Sequence, residues 1–312
     1  MLVKKRVGWL RVLFTFHGSS LPFTWRRILG ITMFSVFVTW LELYYQLDQR
    51  YSLTDRPFTL IGLALGIFLG FRNNAAYDRY WEGRKLWGQL VNTSRSFTRQ
   101  VLTLVGPQDQ TPLELRPFQE GLVRQTIAYV YALRHHLRDT DPFADLERFV
   151  PAEDVQRLRR HKNIPVALLQ EMGLQVRTAW DRGWMTAYHL PALDKSLTTL
   201  TDIQGGCERI KNTPIPYAYT VLIHRLVAFY CFFLPFGIVQ TVGPLTPIVV
   251  LLIAHAFFGL DEIGDEIEDP FDTDPQSLPL NALCRTIEIN LLQAIDAKEV
   301  PEMLQPVRGI LS

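Results

Sequence analysis

Four stretches of this chain carry almost no charge, and they limit what it can fold into more than any other feature. Pro57–Phe71 contains no charged side chain, Ile28–Tyr45 contains one (Glu42), Leu226–Gln240 none, and Leu245–Leu260 a single ionisable group, His255. A helix rises about 1.5 Å per residue, so the shortest runs reach roughly 23 Å, less than the roughly 30 Å of a bilayer core. Each span must therefore continue into its polar flank. One such run would suit a buried helix of a soluble helical scaffold. Four together favour a membrane protein, the more so because Trp25, Trp40, Tyr44, Tyr45, Tyr80, Trp81, Tyr217 and Tyr219 stand at their ends like interfacial aromatic belts.

Composition narrows function by exclusion. Lys and Arg number 32 against 31 Asp and Glu, which removes the basic excess expected of a nucleic-acid-binding domain. Cys207, Cys231 and Cys284 lie far apart with no CxxC spacing, so neither a disulfide framework nor a zinc site is suggested and the thiols read as reduced. No HExxH, GxSxG or phosphate loop occurs, and the sequence predicts no enzyme, no cofactor and no metal site. The start, MLVKKRVGWLRVLFTF, has an arginine inside its apolar stretch and no small-residue cleavage site, unlike a signal peptide.

Lys and Arg gather in the first 27 residues, after the second run (Arg72, Arg79, Arg84, Lys85) and before the third (Arg209, Lys211). By the positive-inside tendency, both termini and the long middle segment face the cytoplasm. The expectation is an all-α, multi-pass protein of one domain with spans at about 26–48, 57–75, 215–240 and 244–261. A helical cytoplasmic region covers 76–213 and a tail 262–312. In the middle segment Leu122, Thr126, Tyr129, Val130, Leu133 and Leu137 recur at three- and four-residue steps, the mark of a helix with one buried stripe. Further helices are expected over Val166–Trp180 and from Leu190 to about Ile203, with breaks at DTDPFAD and HKNIP.

The second span has a pattern of its own. Gly62, Gly66 and Gly70 share a face, and small residues at this spacing let helix backbones approach closely in lipid. Displaced by one residue, Leu63, Ile67 and Phe71 form an apolar stripe at steps of four. On pattern alone that stripe suits acyl chains. Repeated around an axis it would line a pore, where rings of apolar side chains gate ions by dewetting.

Three motifs, FRNNAAYDRYWEGRKLWG after the second span, TDIQGGCERIKNTPIPYAYT before the third and GLDEIGDEIEDPF after the fourth, resemble the bacterial branch of the bestrophin family. The resemblance runs from about Trp25 to about Leu292 and implies an ion channel of the bacterial inner membrane, a homopentamer around one pore. It places a hydrophobic neck on Leu63, Ile67 and Phe71, the stripe already marked by helical geometry. A lower constriction implied by the family falls loosely on RGWMTAYHLPALD, at His189 or Met185. The Arg-Phe-Pro tripeptide of animal members is absent. Their dense acidic run is reduced here to Asp272 and Asp274 beyond Phe271, too few oxygens for calcium, which takes about six to eight ligands.

The stretch Asp261–Asp269 holds six carboxylates, which read as a solvated extension of the fourth span paired with arginine, a metal cluster or a cation-attracting vestibule. Arg72 reads as a positive-inside anchor. His224 and His255, at or within spans, leave open a membrane haem or metal protein, although a neutral histidine bonded to a neighbouring helix is commoner. The sequence thus predicts a homopentamer in a lipid bilayer passing small monovalent ions, cations slightly before chloride, with chloride as the alternative.

Overall fold

The computed structural model describes residues 18–45, 55–107, 113–307 and 309–311. The helices are α1 (Leu21–Tyr45), α2 (Asp55–Leu104), α3 (Leu115–Arg138), α4 (Phe143–Leu146), α5 (Ala152–Leu158), α6 (Ile164–Asp181), α7 (Leu190–Asn212), α8 (Tyr217–Val242), α9 (Thr246–Glu268) and α10 (Leu280–Ala294). No strand occurs among the described residues. The end of the first expected span (46–48), most of the link after it and the basic N-terminal segment lie outside them.

Where the sequence suggests one domain, the chain groups into two compact units. One is formed by Lys4–Tyr80 with Pro214–Asp269, the other chiefly by Trp81–Thr213 with Pro270–Ser312.

The first unit contains α1, the beginning of α2, α8 and α9. Leu21–Tyr45, Arg56–Leu104 and Tyr217–Glu268 are long and apolar enough to cross a membrane. The last of these consists of α8 and α9, joined by one 3-10 turn, Gly243–Leu245. Gly243 adopts φ +60° at the helix end, a backbone state that a side chain would resist. The two helices fold back on each other, and α1 packs along both. Ile28 from α1, Leu65 and Leu69 from α2, Ile223, Val227 and Cys231 from α8, and Ala254 and Phe258 from α9 form the buried centre. In lipid such contacts act through van der Waals packing, because acyl chains are as apolar as leucine.

The second expected span is the beginning of α2, and the helix runs on without a break to Leu104, so the change from apolar to charged residues after Phe71 is a change of surroundings within one helix. Pro57 stands in the first turn, where its missing N–H is no loss, and no proline follows until Pro107. At the far end the Gln119 amide donates to the carbonyls of Val101 (3.3 Å) and Val105 (2.7 Å), which the helix leaves without partners.

In the second unit the expected stripe of α3 is buried in full, from Leu122 to Leu137. Tyr129 donates from within it to the carbonyl of Leu200 on α7 at 2.9 Å. The break after α3 is made by Asp139, left-handed at φ 52°, and α6 begins where Asn163 accepts from the Val166 N–H with Pro165 in the first turn. Helix α7 runs nine residues past the expected Ile203, to Asn212. Burial pushes the thiols of Cys207 and Cys284 up to about 12, which keeps them protonated and unreactive.

Asp145 in α4 accepts from Arg134 at 2.6 Å and meets the His135 ring at 3.0 Å. The hydrogen bond from His135, helped by the Arg134 charge, pulls its carboxyl down to about 2. A carboxyl depressed in the folded state stabilises above its unfolded pKa, about 3.9, and ceases to do so as the pH falls through its folded value. Asp145→Asn is therefore expected to lower the melting temperature at pH 7 and to flatten the acid loss of stability between about pH 4 and pH 2. Thermal unfolding of the detergent-solubilised protein by circular dichroism checks both.

Candidate functional site

Helix α2 presents two opposite faces over its apolar part. Leu65, Leu69, Arg72 and Ala76 are buried on one, recurring at three- and four-residue steps. Leu63, Ile67 and Phe71 lie across the helix from them and remain 65%, 50% and 64% exposed. The chain leaves this stripe uncovered, along with the large apolar side chains Leu60, Ile61 and Phe68 beside it. Apolar exposure on this scale marks a surface meant for lipid or for another chain.

The glycine row divides. A Cβ on Gly62 would stand 2.5 Å from the Tyr230 hydroxyl and 3.0 Å from its Cζ, so Gly62 is where α8 closes on α2. A Cβ on Gly66 or Gly70 would meet nothing within 4 Å. Each step of four advances about 40° around a helix, and the row drifts from the covered side of α2 towards the exposed one. The expected packing face therefore serves the subunit at Gly62 alone.

The strongest polar constellation begins one residue beyond the apolar stripe. Arg72 is 1% exposed, and its guanidinium donates to the Asp261 carboxylate at 2.8 Å, to the Asp261 carbonyl at 3.2 Å and to the carboxylate of Asp265. His224 on α8 reaches the same two acids, Nδ1 to Asp261 at 2.6 Å and Nε2 to Asp265 at 3.4 Å. Next to them Arg27 on α1 pairs with Glu262 at 3.4 Å, and Asn73 donates to the Leu260 carbonyl at 3.0 Å. Gly264 admits the approach: a Cβ there would collide with the Asn73 amide oxygen. Arg27, His224, Asp261, Glu262 and Asp265 border a cavity of about 330 Å³.

This arrangement corrects three readings. Arg72 is no surface anchor but the centre of a buried ion cluster; removing one partner of a buried pair typically costs about 3–5 kcal/mol. The acidic stretch is not simply a solvated helix extension, because Asp261 is 2% exposed and Glu268 accepts from the Ile215 N–H at 2.9 Å. For the haem reading, both ring nitrogens of His224 face carboxylates, while His255 is exposed on α9 and absent from the cluster, so the two donors are not brought to one centre. The cluster was within reach of sequence reasoning: Arg72 continues the buried stripe of Leu65 and Leu69, and Asp261 that of Ala254 and Phe258.

In the second unit, Met185 is 7% exposed, packed inside its own subunit and so poorly placed to line a passage. His189 stands just before α7, half-buried, with its Nδ1 buried and without a hydrogen-bond partner. Of the two positions for a lower constriction, His189 alone keeps an accessible side chain.

The model of the bacterial and fungal bestrophin proteins matches residues 1–293. The chain belongs to the bestrophin family. It is 42% identical to a voltage-dependent anion channel-forming protein of Ralstonia nicotianae over 294 residues, 92% of either chain. With a protein of the same description from Escherichia coli K12 it shares 38% over 309 residues, 99% of this chain and 98% of that one. The crystal structure of a bacterial bestrophin homologue from Klebsiella pneumoniae superposes with a TM-score of 0.81 at 34% identity, covering 88% of this chain and 98% of that one. The all-helical fold is thus a bestrophin fold, and the family together with its relatives' names supports a membrane ion channel rather than an enzyme.

The glycine geometry is open to a direct check. Gly62→Ala is expected to destabilise the solubilised bestrophin by about 1–3 kcal/mol through overpacking on Tyr230, and Tyr230→Phe in the same chain to restore part of it. Gly66→Ala leaves the isolated subunit unchanged. Equal melting temperatures for the Gly62 and Gly66 variants would contradict the geometry.

Proposed function

We propose that this bestrophin is a homopentameric channel of the bacterial inner membrane that passes small monovalent ions through an apolar neck formed by Leu63, Ile67 and Phe71. Four helices cross the bilayer in this reading, α1, the beginning of α2, α8 and α9, with both termini and the second unit in the cytoplasm. The observation that carries it is the pair of opposite faces on α2. One is covered by the subunit's own helices, and the other keeps three large apolar side chains one turn apart and uncovered. Copies arranged about an axis turn that stripe into three stacked rings. Ions cross such rings with partial loss of water, and the barrier stays low because the constriction is short. Gly66 and Gly70, beside the stripe, leave room for the neighbouring copy's helix to come close. His189 is the position we assign to the lower constriction.

The neck carries no charge, so the sign of the permeant ion depends on the charge beyond it. Six carboxylates lie between Asp261 and Asp269, and Arg27 and Arg72 pair with three of them, Asp261, Glu262 and Asp265. A stretch this rich in carboxylates beside the neck favours cations. Anion passage is the second reading, supported by the names of the Ralstonia and Escherichia relatives.

In a planar bilayer with a salt gradient, the reversal potential is expected on the cation side of zero; a value on the anion side selects the second reading. Replacing Leu63, Ile67 and Phe71 together by alanine is expected to raise conductance, and unchanged currents would remove them from the pathway. The mass of the detergent-solubilised complex is expected to correspond to five chains.

A further inference from the structure

We infer that the cluster of Arg72, Asp261, Asp265 and His224 is a positioning device for the neck, holding the rotation of α2 at Phe71, and that the charge on His224 adjusts that hold. The inference rests on the channel reading above and goes beyond it, because that reading gives these groups no part in the neck.

Phe71 and Arg72 are successive residues of one helix, about 100° apart around its axis, so a rotation of α2 that carries Phe71 round the axis carries Arg72 with it. The guanidinium is held firmly. It is a planar fork with three acceptors, all on α9, and its own side chain is fully buried. Asn73 adds a second polar handle on the same helix, its amide donating to Leu260 and tucked against Gly264. Elsewhere α2 is held mainly by apolar contact, Leu65 and Leu69 in the core and Gly62 against Tyr230, with the Tyr219 hydroxyl donating to the Phe68 carbonyl at 3.4 Å. Apolar contacts in such an interior resist sliding weakly, so the directional polar hold on the angle of the neck sits at residues 72 and 73.

His224 controls how firmly the carboxylates can hold. The charged and titratable groups around it are Asp261, Glu262 and Asp265 from α9, Arg72 from α2 and Arg27 from α1, with Arg225 next to it on α8. Three carboxylates thus face the guanidinium groups of Arg27 and Arg72 within the cluster, while Arg225 is exposed. With the ring charged, both nitrogens donate, Nδ1 to Asp261 and Nε2 towards Asp265. With the ring neutral, one nitrogen presents a lone pair to a carboxylate, and the acid it faces is pushed from the place where it holds Arg72. The helix that carries the neck thereby responds to a proton on another helix.

Currents through the full-length channel in planar bilayers, recorded across about pH 5 to 8, the range in which imidazole ordinarily changes charge, test this. The wild type is expected to change its open probability by about fivefold or more, the low end of coupling between sites. His224→Gln is expected to assemble with the same mass and to conduct, but with a flat pH profile. Arg72→Lys, which keeps the charge and loses the fork, is expected to shift the open probability at fixed pH without changing ion sign, as is Asp265→Asn, while Asp265→Glu restores the wild-type value. A His224→Gln channel that keeps the wild-type profile, or a wild-type current that ignores pH, overturns the inference and leaves the channel reading intact. A wild-type protein that passes no current overturns the channel reading itself.

Discussion

A fully buried guanidinium is the constraint around which the first unit is organised. Taking Arg72 out of water is tolerable only because Asp261 and Asp265 meet it on α9, and those acids in turn need His224 on α8. Three helices are brought to one point by a requirement that apolar packing does not impose, since leucine can slide past leucine at little cost in a lipid-like interior. The cluster therefore gives register to a bundle whose core, Ile28, Leu65, Leu69, Val227 and Phe258, would otherwise tolerate slippage. Gly264 serves the same end, because a side chain there would hold α9 away from Asn73 and break the contact geometry.

The same helix carries the arginine and the exposed stripe, and that economy explains why α2 changes chemistry without changing structure. In the proposed channel, a break after Phe71 would uncouple the neck from the residues assigned to hold it. An unbroken helix transmits angular position from residue 72 to residues 63, 67 and 71 with almost no loss, because its backbone hydrogen bonds fix 100° per residue. Glycine at 62 and leucine at 65 and 69 give the covered side a close fit, while Leu63, Ile67 and Phe71 keep the other side bulky and dry.

Much of this was legible in the sequence, for reasons that differ from element to element. The apolar runs and the buried stripe of α3 follow from periodicity, which any amphipathic helix must write plainly. The stripe Leu63, Ile67, Phe71 was visible for the same reason, although periodicity alone does not tell a pore from acyl chains; the resemblance to a channel family is what favours the pore. That α2 runs to Leu104 as one helix is not written in hydropathy, which marks a membrane boundary and says nothing about how far the helix continues beyond it. Arg72 was misread because a basic residue at the end of an apolar run usually anchors at an interface, and only its place on the buried face of α2 tells otherwise. Its partner lies 189 residues away, a pairing no local pattern encodes. That Met185 is buried was not legible, because a loose motif match gives a segment and not the direction of a side chain.

The central claim is that residues 63, 67 and 71 look inward at their symmetry mates. A single cysteine placed by Ile67→Cys tests it most directly, since Cys207, Cys231 and Cys284 are buried and contribute little background. Treated with a water-soluble, membrane-impermeant thiol reagent during recording, this channel is expected to lose most of its current, while the parent protein keeps it. Modification of position 67 by a lipid-soluble reagent alone, with current untouched by the aqueous one, would put the stripe against acyl chains and contradict the account.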